Sequence, residues 1–318
     1  MPTVFTYNQH PAYLYLLSHV DAEFVVVGEW GVDTRSHPDN VRFIDSCEAD
    51  EYAGYADVWL SHLITPDLAR FAQMGRRIGW PDKLVQIMHG RSDRVGHLRS
   101  PLARAGYRAA KQAVIPVLWA VGRTLDIEYV YISDYVADSW RIGGHTIYPA
   151  VLPELYEGGQ TDGEDYALVV GNELHRGHFE FDILQQVIGR RDVRVCGANP
   201  QLVTEPGRVS WGELKRQYRN ANCYVNLLQP PENSFNLATL EAIGSGTPIV
   251  TLQHPESVFE NGVTALVCET AEEVVEAMDR LRDDEALAKR LRTNAHQLAA
   301  ETFDMERFQR SWRAVLSA

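Results

Sequence analysis

The chain has 318 residues, 45% of them hydrophobic and 23% charged, which suits two globular domains with a core each. A formal net charge of −13 argues against general nucleic-acid binding, and no run approaches the ~18 apolar residues that span a bilayer. Cys47, Cys196, Cys223 and Cys268 lie far apart without metal spacing, and Met1 leads straight into P-T-V-F-T-Y, so buried reduced thiols and a cytoplasmic location are expected.

Taken in order, 3–7, 23–28, 41–44, 57–62, 83–88, 128–133 and 145–148 read as strands. Between them, 12–20, 66–77, a long region after Arg91 and 134–141 read as helices. Such alternation predicts an α/β fold with a doubly wound parallel sheet. Residues 149–165 form the best boundary, with Pro149, Pro153, Gly158, Gly159 and Gly163 and little apolar periodicity. A second α/β domain then follows, with strands at 166–170, 193–196 and 223–228 and helices at 179–188 and 211–220. The chain ends on helices at 271–281, 285–300 and 305–316.

The most informative stretch is 230–267, P-P-E-N-S-F-N-L-A-T-L-E-A-I-G-S-G-T-P-I-V-T-L-Q-H-P-E-S-V-F-E-N-G-V-T-A-L-V. A polar loop enters a helix near Phe235, the helix stops at Gly244-Ser245-Gly246, and a strand follows at 247–251. A further helix turn and a strand at 264–267 are expected after it. A helix entered through Asn233, Ser234, Phe235 and Asn236 into Leu237 presents unpaired N–H groups and a positive dipole end, which suit a phosphate. Leu237, Leu240 and Ile243 mark the core face, and Glu241 is expected off it.

The two blocks S-F-N-L-A-T-L-E-A-I-G-S-G-T-P-I-V and P-E-S-V-F-E-N-G-V-T-A-L-V resemble the donor-binding core of the GT-B glycosyltransferases of family four. The resemblance implies two Rossmann-like doubly wound domains facing a central cleft, 1–150 on the acceptor side and 151–302 on the nucleotide-sugar side. It also implies that a last helix, about 303–318, packs back on the first domain. The implied reaction is retaining transfer of a sugar from a UDP- or GDP-sugar to a hydroxyl acceptor in glycan, glycolipid or polysaccharide synthesis. Neither metal nor separate cofactor is implied, and no Asp-x-Asp pair occurs to support the metal-dependent glycosyltransferase fold.

By the same resemblance Glu241 holds the ribose hydroxyls, since a carboxylate accepts two hydrogen bonds. The family's first glutamate falls on Asn233, with Glu232 beside it, so either Asn233 is a neutral sugar reader or Glu232 serves. Gly171-Asn172 and Arg176-Gly177 stand where the family clamps the diphosphate with two cations. Arg176 keeps one of them and Asn172 replaces the other. His89, at a strand end, is expected to bond the transferred sugar, and His10 to face the acceptor. Gly197 to Pro200 and Val209 fall where the base packs.

Residues 91–123 carry seven basic side chains against the single acid Asp93, interrupted by Pro101 and Pro116. Such a segment suits an anionic membrane face or a lipid-linked acceptor, and a solvated helix face equally. The substitutions at Asn172 and Asn233 leave a second reading, a non-catalytic GT-B subunit that partners another glycosyltransferase.

Overall fold

In a computed structural model, which describes residues 1–30, 35–62, 64–93, 100–156, 164–202 and 206–317, the chain forms two units. Arg94, Arg99, Gly158, Gly159 and Gly163 lie outside the described residues, as do the side chains of Arg104, Arg108 and Lys111.

The first unit comprises Met1–Arg94, Ser100–Pro149 and Glu306–Ala318. Its elements are β1 (Thr3–Tyr7), α1 (Pro11–Leu17), β2 (Glu23–Val27), β3 (Val41–Ile44), α2 (Ala49–Ala53), β4 (Val58–Ser61), α3 (Ile64–Ile78), β5 (Lys83–Met88), α4 (Pro101–Thr124), β6 (Ile127–Tyr131), α5 (Asp134–Trp140) and β7 (His145–Thr146). Strands such as E-F-V-V-V and V-W-L-S are β-branched or aromatic and apolar on both faces, as a sheet covered on both sides requires. All neighbours pair in parallel in the order β3-β2-β1-β4-β5-β6-β7. The chain thus winds outward from β1 to β3, then returns to lay β4 on the other side of β1.

α4 differs from its expectation. Ser100 caps its start, Pro101 occupies the first turn where no N–H is needed, and the helix runs through Pro116 instead of breaking there.

The second unit runs through Ala150–Met305 and repeats the plan. It holds β8 (Glu164–Val170), α6 (Phe181–Ile188), β9 (Val193–Cys196), β10 (Pro206–Gly207), α7 (Trp211–Asn220), β11 (Ala221–Asn226), α8 (Leu237–Gly244), β12 (Ile249–Leu252), β13 (Leu266–Cys268), α9 (Ala271–Asp283) and α10 (Glu285–Thr302). Its sheet is again wholly parallel, in the order β10-β9-β8-β11-β12-β13. Cys196, Cys223 and Cys268 are buried free thiols, while Cys47 is exposed.

Two expectations for 230–267 are corrected. α8 starts at Leu237 and not near Phe235, because Asn236 is extended and its Oδ1 accepts the Thr239 N–H at 2.9 Å. No helix turn intervenes between β12 and β13; the Glu260 carbonyl there collects N–H groups from Val263 and Thr264 in tight turns.

The last helix, α11 (Met305–Ser317), lies almost wholly within the first unit. Phe308, Trp312, Val315 and Leu316 fall on one face at helical spacing and are all buried. Lys83 Nζ donates to the Val315 carbonyl at 2.7 Å, Gln309 Nε2 donates to the His19 carbonyl at 2.7 Å, and Phe308 meets Tyr13 edge-on. Trp312 has no exposed surface. Trp312→Ala should therefore destabilise the protein by about 3–5 kcal/mol, seen as a lower urea midpoint in far-UV circular dichroism.

Candidate functional site

In both sheets the winding reverses beside the first strand, between β1 and β4 and between β8 and β11. Loops leaving the carboxyl ends of two such strands diverge to opposite faces and leave a crevice, where open α/β sheets bind their ligands. The sequence-predicted residues fall at these edges or on the helices that follow them.

In the second unit the loops after β8 and β9 are sewn together by short polar side chains. Asn172 Oδ1 accepts the Ala198 N–H at 2.7 Å. Asn199 Oδ1 accepts the Leu174 N–H at 2.9 Å, and its Nδ2 donates to the Gly171 carbonyl at 2.7 Å. Gly197 has φ +129°, and a Cβ there would lie 2.2 Å from the Gly171 carbonyl oxygen, so no other residue fits that crossing. Asn172, predicted as a donor contact, thus has a structural duty as well. Arg176 is more than half exposed and ion-paired with Glu173. Val209 is half-buried in the run between β10 and α7.

In the loop from β11 to α8 the stretch from Glu232 to Phe235 is buried, with Glu232, Asn233 and Ser234 each under a tenth exposed, while Pro230 is exposed. Asn226 Nδ2 donates to the Ser234 carbonyl at 2.7 Å, and Ser234 Oγ accepts the Val258 N–H at 3.2 Å. Phe235 packs edge-on against Phe303 at 4.9 Å between ring centroids. Glu232 is clasped twice: His178 Nδ1 lies 3.0 Å from its Oε1, and its carbonyl is 2.8 Å from His254 Nε2. The Glu256 N–H points at His254 Nδ1, so His254 is protonated on Nε2 and donates to Glu232.

α8 is buried on every side from Thr239 to Gly244, which corrects the expectation that Glu241 points off a core face. Glu241 is 6% exposed, and Tyr218 of α7 donates its hydroxyl to Glu241 Oε2 at 3.0 Å. Burial and the Glu241 charge push the Tyr218 hydroxyl well above its ordinary pKa, so it remains a donor at any working pH. A plain solvated helix glutamate is excluded.

In the first unit the carboxyl edge carries three histidines. His10 lies between β1 and α1, His62 follows β4 and His89 follows β5, and β1, β4 and β5 lie side by side in that order in the sheet. The His10 and His89 rings are 4.2 Å apart between centroids, and Tyr13 stands edge-on to His89 at 4.8 Å. His62 is the member that sequence reading missed. The available signal was that 57–62 ends on a histidine as 83–88 leads into one. His62 is 3% exposed, and its backbone N–H donates to Asp67 Oδ2 at 3.1 Å. Burial, then the His10 charge, push its imidazole down to about 3. Among the described residues no group of three or more His, Cys, Asp or Glu has an arrangement that could hold a metal ion.

Comparison with known proteins bears on the family and the fold. Residues 181–312 match the family model described as glycosyl transferase-like. No curated protein sequence matches the chain. Among solved structures, the fold is similar to Anabaena HepE in complex with UDP and glucose, at TM-score 0.75 and 13% identity with 100% of both chains covered. A sucrose-phosphate synthase from Thermosynechococcus elongatus gives TM-score 0.69 at 15% identity, covering 100% of this chain and 98% of that one. A glycosyltransferase from Rickettsia africae gives 0.69 at 10% identity, covering 99% and 98%. The architecture is that of the GT-B glycosyltransferases.

The His62 environment has a consequence for stability. Below pH 6.5 the unfolded chain takes a proton at His62, while the native state does not until about pH 3. Its burial therefore costs nothing above pH 6.5 and destabilises the native state progressively below it. Urea unfolding at pH 7 and pH 5 should show a drop that shrinks by about 2 kcal/mol in His62→Asn.

Proposed function

We infer that this chain, a GT-B protein with a glycosyl transferase-like second unit, moves a sugar from a nucleoside-diphosphate donor to a hydroxyl acceptor. The observation that carries the reading is the carboxyl edge of the second sheet, where Arg176, the start of α8 and the buried Glu241 sit on loops and helices around one switch point. UDP, and UDP with glucose, occupy the HepE structures, which puts uridine ahead of guanosine.

In this reading Glu241, steadied by Tyr218, accepts hydrogen bonds from the ribose. Gly197 and Val209 line the base. The diphosphate takes N–H groups at the start of α8, in the run Ser234, Phe235, Asn236 and Leu237, together with the Arg176 guanidinium, released from Glu173. Asn172 holds the loop that presents Arg176. Asn233 orients the sugar as a neutral group, and His89 is a separate candidate for substrate contact within the first unit.

The bond from the anomeric carbon to the phosphate oxygen breaks while the acceptor oxygen bonds the same carbon from the same face. The acceptor proton passes to the departing phosphate, so the configuration is retained. The guanidinium and helix dipole meet the growing phosphate charge, and the reaction needs neither a metal nor a further cofactor.

For the acceptor, we place a hydroxyl of a glycan, glycolipid or polysaccharide precursor, met in the cytoplasm or at the inner membrane face. α4 supports a membrane contact, since Leu102, Val117 and Trp119 are 85%, 57% and 48% exposed. Arg91 is not part of that surface charge: it binds Asp93 and the Tyr135 carbonyl and stacks on the Tyr135 ring. No described helix is long and apolar enough to cross a membrane.

The rival reading, a non-catalytic GT-B subunit, draws on Asn172 and Asn233 standing where the family has charged groups. Thermal shift separates the two at the level of the donor site. UDP at about 100 times its dissociation constant should add ~2.7 kcal/mol, GDP and ADP less, and Glu241→Ala should abolish the gain. Arg176→Ala alters an exposed side chain, so the unliganded melting temperature should hold while UDP binds about tenfold more weakly. No shift with any nucleotide would hand the lead to the non-catalytic reading.

A further inference from the structure

His62 Nδ1 and His89 Nε2 are 3.0 Å apart, with the rings 17° from parallel and 5.3 Å between centroids. Two nitrogens at that distance share one proton, so one donates and the other accepts. The other nitrogen of His62, Nε2, is buried and has no hydrogen-bond partner. If His62 accepted at Nδ1, its own proton would sit on Nε2 as an orphan buried N–H. If His62 donates from Nδ1, only a bare lone pair is left unmatched. A buried N–H without a partner is the rarer arrangement, and an acceptor without a donor is tolerated more often. The first option is therefore disfavoured, and a doubly protonated His62 is disfavoured further by its burial.

We propose that His62 is a positioning residue that holds His89 in its Nδ1–H form, so that His89 meets the substrate as an N–H donor and not as a base. The role toward substrate rests on the transferase reading above, while the tautomer itself does not. His62 is held for this task from behind. Its backbone N–H is fixed by Asp67, and Ser61 Oγ donates to Gln86 Oε1 at 2.7 Å across the neighbouring strand, which pins the end of β4.

Protonation of His89 would need Nε2, which is occupied. Accepting that proton would either break the bond or force His62 to flip its own proton onto the orphan position. His89 thereby resists charging. Among the described residues, His10 just before α1, Tyr13 of α1 and Asp67 of α3 also touch the pair.

Ring-nitrogen correlation spectra of the intact, histidine-labelled protein decide the matter. At pH 7 both His62 and His89 should carry the proton on Nδ1. His62→Leu should move the His89 proton to Nε2. His62→Asn, whose side-chain amide can donate from nearly the place of Nδ1, should restore the Nδ1–H form. An Nε2–H signal on His89 in the unaltered protein overturns the proposal, and that reading needs no variant to fold. An unchanged His89 signal in His62→Leu overturns it as well.

With UDP-sugar turnover in hand, the acid limb of kcat/KM should shift upward in His62→Leu and return in His62→Asn. A tautomer change with an unmoved limb would overturn the role toward substrate. Absence of any turnover in the unaltered protein would remove the transferase reading and leave the spectra to decide on His62.

Discussion

Everything in this molecule depends on the reversal of winding in each parallel sheet. A parallel strand can be left only over a face of the sheet, so successive loops leave the carboxyl edge on whichever face the next helix covers. Where the order turns back, between β1 and β4 or between β8 and β11, two neighbouring loops part and leave a crevice. The candidate polar residues fall at the carboxyl ends of the strands or on the helices that follow, because loop backbone needs polar partners and strand interiors exclude them.

What the crevice edges then require is order without charge. In the second unit the asparagines at 172, 199 and 226 bond backbone groups of neighbouring loops, where lysine or glutamate would leave a half-desolvated charge. The charged groups near them are matched: Arg176 by Glu173, Glu232 by His178, Glu241 by the Tyr218 hydroxyl. The Arg176 guanidinium is more than half exposed in that pair. The first unit places three imidazoles at its carboxyl edge, one of which, His62, is too buried to charge.

How much of this was legible in the chain itself can be argued from particular elements. β1, β3, β5, β9 and α7 fall where hydrophobic runs and turn residues put them, because their burial is dictated locally by composition. β10 was not legible: Pro206 and Gly207 have no strand propensity, and they pair only because β9 offers an open edge. The start of α8 was misplaced by two residues because Ser234 and Asn236 are equally good caps by composition. The choice of Asn236 is made by the tertiary bonds of Ser234 to Asn226 and Val258.

The sequence by itself determined the strand and helix alternation of two doubly wound sheets, which rests on periodicity and local spacing that survive in one dimension. The returning C-terminal helix and a donor-site role for the residues from Asn233 to Glu241 were expectations drawn from the family resemblance, and the helix is found in the first unit. Only the tertiary structure decided that Glu241 is buried against Tyr218, that Asn172 is committed to the Ala198 backbone, and that His62 lies beneath His89. Each of these joins elements 23 to 27 residues apart whose neighbourhood is set by strand order. A contact of that kind follows from which strand lies beside which, and no local pattern in the chain encodes it.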